Sequence, residues 1–323
     1  MSSLSAAAVV CIGLTALVGT TSAQTYPTKP IRFVVPFAPG GSTDTLGRVL
    51  AVKLSEALGQ QVVVDNRSGA NGNIGMEIVA RAPADGHTLL LGYIANVAIA
   101  PSLYEKLPFD PVKDYEPVTL IATSPNVLVA HPSVAAKNLK ELIALAKAQP
   151  GKLNYASASI ASVGHLTGEL LNELAGIKMT HVAYKGSGQA VTDLLGGHIQ
   201  LMFSGFSSTL PHIKSGKLRA LAQTGEKRSA ALPDVPTIAE SGFPNFEATA
   251  WYGVHVPAKT PKPIVNRLNA EIVKALQQPD VKDRLGGLGF EIAASTPEAY
   301  GKYIRSEITK WAKVVKASGA KPD

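Results

Sequence analysis

The chain has 323 residues, enough for two domains with cores of their own, and its 46% apolar and 17% charged content is that of a globular protein. The formal net charge is +7, but the Lys and Arg residues are scattered rather than clustered with aromatics, which argues against a nucleic-acid partner.

Residues 6–18 form an apolar run the length of a signal-peptide core, too short to cross a bilayer comfortably, and Thr21-Ser22-Ala23 offers small residues for cleavage. The expectation is a signal peptide over residues 1–23 and a mature start at Gln24, although Met1 to Ser5 lack the usual basic residue. Cys11 is the one cysteine, so cleavage would leave none and would exclude disulfides and thiol catalysis. No other segment is long and apolar enough to span a membrane.

Residues 31–36 read as a buried strand and 42–58 as a helix, with Leu46, Val49, Leu50, Leu54 and Leu58 at helical spacing and Gly59 as its C-cap. A strand at 62–65, a Gly/Asn loop at 66–73 and a short helix at 74–82 follow. Pro83-Ala84-Asp85-Gly86 then turns into a strand at 87–91. After Pro111 the chain is extended, with strands at 118–122 and 126–130 bracketing Thr123-Ser124-Pro125. A second series has helices at 139–149, 164–175 and 190–195, and strands at 153–156, 179–183, 199–203 and 218–223. Residues 247–256 are aromatic and extended, and helices at 261–276, 279–285 and 297–317 each carry Pro in the first turn. Such alternation predicts mostly parallel sheets covered by helices. The expected lobes are residues 24–125 plus 252–323 and residues 126–251, with 126–130 and 247–256 as paired strands forming a hinge that bends near Thr123 to Pro125 and Val254 to Pro257.

Two turns share one design. Pro36-Phe37-Ala38-Pro39-Gly40-Gly41-Ser42-Thr43-Asp44 and Tyr184-Lys185-Gly186-Ser187-Gly188 each follow a strand and open a helix. A turn of this kind aims backbone N–H groups and the positive helix end at an anion such as a carboxylate. Gly40 and Gly41 also suit a tight turn without any ligand, and Ser42 or Thr43 also suit an N-cap. Asp44 would repel an anion, so its reading is to favour the helix dipole or to fix the loop. Ser157, Ser159 and Ser162 cluster before the helix at Gly164, near His165 at its start; His181 reads as mid-strand packing. Tyr93 and Asn96 follow the third strand, at the end where open α/β sheets bind ligands. The segment from Phe203 to Phe206 follows a strand and can narrow a pocket, Tyr184 offers a ring and a hydroxyl, and Lys185 can pair with a carboxylate. No metal-ligand motif, P-loop or nucleophile elbow is present, and the spacing Gly69-x-x-Gly72-x-x-Gly75 does not match the dinucleotide fingerprint. No metal and no cofactor are expected.

The first turn, with Asn154-Tyr155-Ala156-Ser157, Tyr184-Lys185-Gly186-Ser187-Gly188, Leu232-Pro233-Asp234-Val235-Pro236-Thr237 and Trp251-Tyr252-Gly253, resembles the Bug-type solute-binding proteins of tripartite tricarboxylate transporters. The resemblance runs from about Tyr26 to the C-terminus. It implies an α/β, two-lobed periplasmic binding protein of the Venus-flytrap type, with two crossover strands as hinge and no enzyme activity. It further implies capture of a small carboxylate, with delivery to a two-subunit membrane permease; Phe37, Tyr93, Tyr184, Phe203 and Phe206 leave an aromatic acid open beside aliphatic di- and tricarboxylates. The chain itself is expected to be a monomer. Ligand contact is implied for residues 37–44, including Phe37 and Ala38, for Ser157 to His165, and for Tyr184 to Gly188 with Gly186 and Ser187. Two readings stay open beside it: a two-lobed α/β enzyme acting on a carboxylate, and a ligand-sensing periplasmic adaptor.

Overall fold

An uninterrupted apolar run makes Ile31–Val35 (β1) a strand buried on both faces, and one apolar stripe makes Ser42–Leu58 (α1) a helix that ends at Gly59 in the left-handed conformation. The computed structural model describes residues 26–318; the expected signal peptide, its cleavage site and Cys11 lie outside them. Val62–Asn66 (β2), Asn73–Ala80 (α2) and Thr88–Tyr93 (β3) complete the first series, and β1 pairs in parallel with both other strands. A π-helical turn over Ala95–Ile99 and the short helix Ala100–Leu103 (α3), neither expected, lead to Tyr115–Ala130 (β4).

The second series is Leu139–Ala148 (α4), Asn154–Ser157 (β5), Val163–Ala175 (α5), Thr180–Ala183 (β6), Ser187–Leu195 (α6), Leu201–Gly205 (β7), Phe206–Lys214 (α7) and Arg219–Gln223 (β8). Thr249–Pro257 (β9), Lys262–Leu276 (α8), Pro279–Gly287 (α9), Glu291–Ile292 (β10) and Pro297–Ser318 (α10) close the chain. No described helix is long and apolar enough to cross a membrane.

The lobes join through β4. The strand order is β2-β1-β3-β9-β4-β7-β5-β6, with β8 and β10 also on β4. Tyr115 to Pro125 pair antiparallel with β9, whereas Asn126 to Ala130 pair with β7 and β8. Two expectations are thereby corrected. The strands expected on either side of Thr123-Ser124-Pro125 are one 16-residue strand. Residues 126–130 and 247–256 also do not pair with each other. Pro125 is tolerated because it stands where the strand changes partner. Val254 to Pro257 lies within the ladder against Tyr115 to Thr119, away from the return crossing.

That return crossing is tied to β4 by Thr224. Its Oγ1 accepts from Asn126 N–H (2.8 Å) and donates to Ala248 O (2.6 Å), while Ala248 N–H donates to Thr224 O (2.9 Å). Helix α10 holds the same region, since Glu307 Oε2 accepts from the indoles of Trp251 and Trp311, each at 2.9 Å. Beyond the crossing, β4 alternates. Leu128 and Ala130 join the core that holds Tyr155 and Phe203, and Val127 and Val129 join the core under α6 and α7.

Candidate anion-binding site

The loop between β1 and α1 is fixed by a carboxylate. Gly40 takes φ 87°, and its N–H donates to Asp44 Oδ2 (3.1 Å). Arg48 Nε lies 3.0 Å from both Asp44 oxygens, and Asn66 Nδ2 donates to Asp44 Oδ1 and to Phe37 O, each at 3.0 Å. Burial pushes the Asp44 carboxyl up, but the bonds from Arg48, Gly40 and Asn66 outweigh it and hold the group below its ordinary range. Asp44 therefore fixes the loop, and the Gly40 N–H is used internally.

The loop between β5 and α5 is fixed by neutral groups. Ser157 Oγ donates to Ser159 O (2.8 Å) and lies 2.7 Å from His181 Nε2. Ser162 Oγ donates to Ser159 O (2.7 Å) and caps α5 by accepting from His165 N–H (3.3 Å). The rings of His165 and His181 stack at 3.9 Å with 15° between their planes. Burial and the neighbouring His165 push the His181 imidazole down to about 3, so it is neutral at pH 7. Because the Ser157 hydroxyl donates to a carbonyl, His181 donates to it. That is the reverse of the polarity a nucleophile and its base require.

Where the loops meet lies a cavity of about 40 Å³. Phe37, Ala38, Gly41, Ser42 and Thr43 border it from the first loop and α1; Ala158, Ser162 and Gly164 border it from the second loop and α5. Gly186 and Ser187 open α6 onto it, and Phe203, Ser204 and Gly205 lead into α7. Tyr93, Asn126 and Tyr252 complete the wall, with Phe37 edge-on to Tyr93 (5.4 Å) and Tyr93 beside Tyr252 (5.2 Å). Four helix N-termini thus converge on one small space. None of the side chains bordering it is charged among the described residues. The starts of α1, α6 and α7 carry no side-chain cap, which leaves first-turn N–H groups open to a ligand. Ser204 Oγ is buried without a partner among the described residues. Both lobes take part, and Ser207 Oγ of α7 donates across the gap to Ser42 Oγ (2.6 Å).

A larger cleft of about 600 Å³ shares Phe37 and Ala158 with this cavity. Its walls include Tyr104, Ser159, Ile160, Ala183, Tyr184, Lys185 and the loop from Ser68 to Gly72, in which Gly69, Ala70, Asn71 and Gly72 all have positive φ. Tyr184 donates to Asp193 Oδ2 (2.7 Å), and burial together with that carboxylate pushes the phenol up to about 12. Lys185 is exposed and makes no ion pair among the described residues. The described residues hold no group of three or more His, Cys, Asp or Glu placed for a metal.

Of the residues singled out from sequence, Gly40, Asp44, Asn96, Ser157, His165 and Phe206 border neither space. Asn96 Oδ1 instead accepts from Tyr93 N–H (3.0 Å), and Asn96 stands behind Gly72 and Phe37 because the π-helical turn folds back after β3. Phe206 is buried against Gly289. The remaining candidates border the cavity or the cleft. Ser204 and Gly205 lie within the flagged segment from Phe203 to Phe206 and border the cavity, whereas Asn126, Tyr252 and the Ser68 to Gly72 loop were missed. Tyr252 stood in a quoted motif, and Gly69 and Gly72 were weighed only as a dinucleotide fingerprint.

The profile of the tripartite tricarboxylate transporter family receptor matches residues 46–320. The protein BugT of Bordetella pertussis is 42% identical over 313 residues, 97% of this chain and 96% of the relative. Among solved structures, an R. palustris protein with adipate superposes at a TM-score of 0.90 with 37% identity, covering 92% of this chain and 100% of that one. The MatC protein of Rhodopseudomonas palustris with bound malate superposes at 0.85 with 35% identity, covering 90% and 100%. The periplasmic binding protein BugD superposes at 0.88 with 38% identity, covering 92% and 99%.

Proposed function

The chain belongs to the tripartite tricarboxylate transporter receptor family, and from that premise we propose that it is a periplasmic solute-binding protein that captures a small carboxylate between its lobes and delivers it to a two-subunit membrane permease. The observation that carries the reading is the convergence of four helix N-termini on one small cavity bordered by no charged side chain. Each terminus contributes roughly half a positive charge, and uncapped N–H groups supply the hydrogen bonds. Hydroxyls of Ser42, Thr43, Ser187 and Ser204 add neutral donors around the same space. The rest of the ligand lies in the adjoining cleft, where Lys185 is available to a second carboxylate. The relatives seen with adipate and malate put aliphatic dicarboxylates first among the candidates. The pairing of β4 and β9 supports one lobe of residues up to 125 and from 249 onward, and a second of residues 126–248. Because both lobes border the cavity, a ligand binds the closed form better and shifts the population toward it. The reading involves no chemical step. Calorimetry with adipate and malate, against their neutral diamides, tests it: the acids bind and the diamides do not. Failure of a folded protein to bind any small carboxylate would overturn it.

A further inference from the structure

His165 and His181 border neither the cavity nor the cleft, yet they hold the backbone that does. We propose that these two residues are positioning residues: a stacked pair of neutral imidazoles that keeps residues 157–162 in the conformation that completes the anion site. The proposal rests on the carboxylate-binding reading for its consequence and on geometry alone for its mechanism.

The two rings anchor the loop at both ends. His181 Nε2 meets Ser157 Oγ at 2.7 Å, and Ala161 N–H donates to His165 Nδ1 at 2.9 Å. Ala158, Ser159 and Ile160, the residues between those anchors, border the cavity or the cleft, as does Ser162 just beyond them. Ala161 has φ 51°, a left-handed conformation that a residue with a Cβ keeps only when its surroundings impose it. The bond to His165 is such an imposition. Face-to-face stacking at 3.9 Å makes the anchors one unit, because one ring cannot rotate without displacing the other.

The hydrogen bonds also fix the protons. His165 Nδ1 accepts, so its proton is on Nε2, on the side of Glu169 Oε1 (4.0 Å). Ser157 donates to Ser159 O, so His181 also carries its proton on Nε2. A second proton on His165 Nδ1 would set N–H against N–H and release Ala161. The ionisable groups facing the pair are Glu169 on α5 and Tyr155 on β5, whose hydroxyl donates to Glu169 Oε1 (2.6 Å).

Long-range proton–nitrogen spectra of the wild-type imidazoles at neutral pH test the arrangement directly. Both rings are expected as Nε2–H tautomers, and a proton on Nδ1 of His165 overturns the proposal. Two variants then separate the acceptor from the ring. His165→Phe keeps a stacked ring without an acceptor, and His165→Asn places an oxygen near the Nδ1 position. In the unliganded protein, hydrogen exchange over residues 157–162 should quicken about tenfold in the first variant and by clearly less in the second, which loses the stack but keeps an acceptor for Ala161 N–H. Malate and adipate affinities should follow the same order, with an about tenfold loss for His165→Phe. Unchanged exchange in His165→Phe, or an equal gain in both variants, overturns the proposal. If wild-type protein binds neither acid, the capture reading fails, while the tautomer and exchange results still decide this one.

Discussion

The two loops that close on the cavity are held by opposite chemistry. The first, from the lobe of β1, is organised by an ionised carboxylate: Asp44 gathers Gly40, Arg48 and Asn66 around itself. The second, from the lobe of β5, is organised by uncharged groups: two serine hydroxyls and two stacked imidazoles. Neither arrangement presents a charge to the cavity. On the proposed reading an anion is met by helix ends and hydroxyls, while Asp44, Arg48 and the two imidazoles stand one layer behind. The difference between the loops also gives them different sensitivities to mutation and to pH.

The largest effect should come from filling the first loop's approach. A Cβ at Gly41 would meet only Ser187 Oγ, at 4.0 Å, so Gly41→Val should fold. Its side chain would compete with a ligand for a cavity of about 40 Å³. Calorimetry with adipate or malate should show an affinity loss of about 100-fold or more. Unchanged affinity in the folded variant would place the anion elsewhere.

Asp44→Asn should come next. It keeps the shape but removes the charge that three donors share, so urea unfolding should show a loss of about 1–3 kcal/mol. Binding should weaken by about tenfold as the loop loosens. A variant as stable and as tight-binding as wild type would mean that the network is incidental.

Acidification should separate the loops. His181 is depressed to about 3, so below its ordinary value near 6.5 the unfolded chain takes up protons that the folded one refuses. Stability should therefore fall as pH drops from about 6.5 and stop falling near 3, on this account. Asp44 is also depressed, but its contribution is complete above the ordinary carboxylate range and is lost only as pH falls through its lower folded value. Buried His255, likewise pushed to about 3 by burial, adds to the first window. Comparing urea unfolding at pH 7 and pH 5 in wild type and His181→Gln isolates the second loop's share. The variant should lose less stability between the two pH values, and identical losses would contradict the assignment.

The smallest effect should follow Ser207→Ala, which deletes the hydroxyl bond between the lobes. Its removal should favour the open form by about 0.5–1.5 kcal/mol. Small-angle scattering of the unliganded variant should show a larger radius of gyration than wild type. An equal radius would mean that closure does not depend on this contact.

Much of the fold was legible because it follows from local pattern. The stripe from Leu46 to Leu58 and the cap at Gly59 give α1 its observed ends. Helix α7 was not legible, because Pro211 interrupts a pattern that Phe206 to Lys214 nevertheless hold by packing on the sheet. The continuity of β4 was hidden by Thr123-Ser124-Pro125, whose extended backbone is set by the partners on either side. At the site, glycine and serine turns advertised three of the four converging helix starts, those of α1, α5 and α6. Tyr252 and Ser204 reach the cavity only through the sheet order, which places β9 and β7 on either side of β4, and no spacing in the chain encodes that. His165 was near the right place, but its role lies in a bond to Ala161, a contact between a ring and a backbone that residue type alone does not reveal.

Amide spectroscopy tests most directly whether a carboxylate sits where these helices begin. Isotope-labelled protein would be titrated with a carboxylate that calorimetry shows to bind. The account predicts that the largest amide shifts fall in the first turns of α1, α6 and α7, at Ser42, Ser187 and Phe206 and the residues that follow them. Shifts confined to other surfaces, with these amides unmoved at saturation, would contradict it.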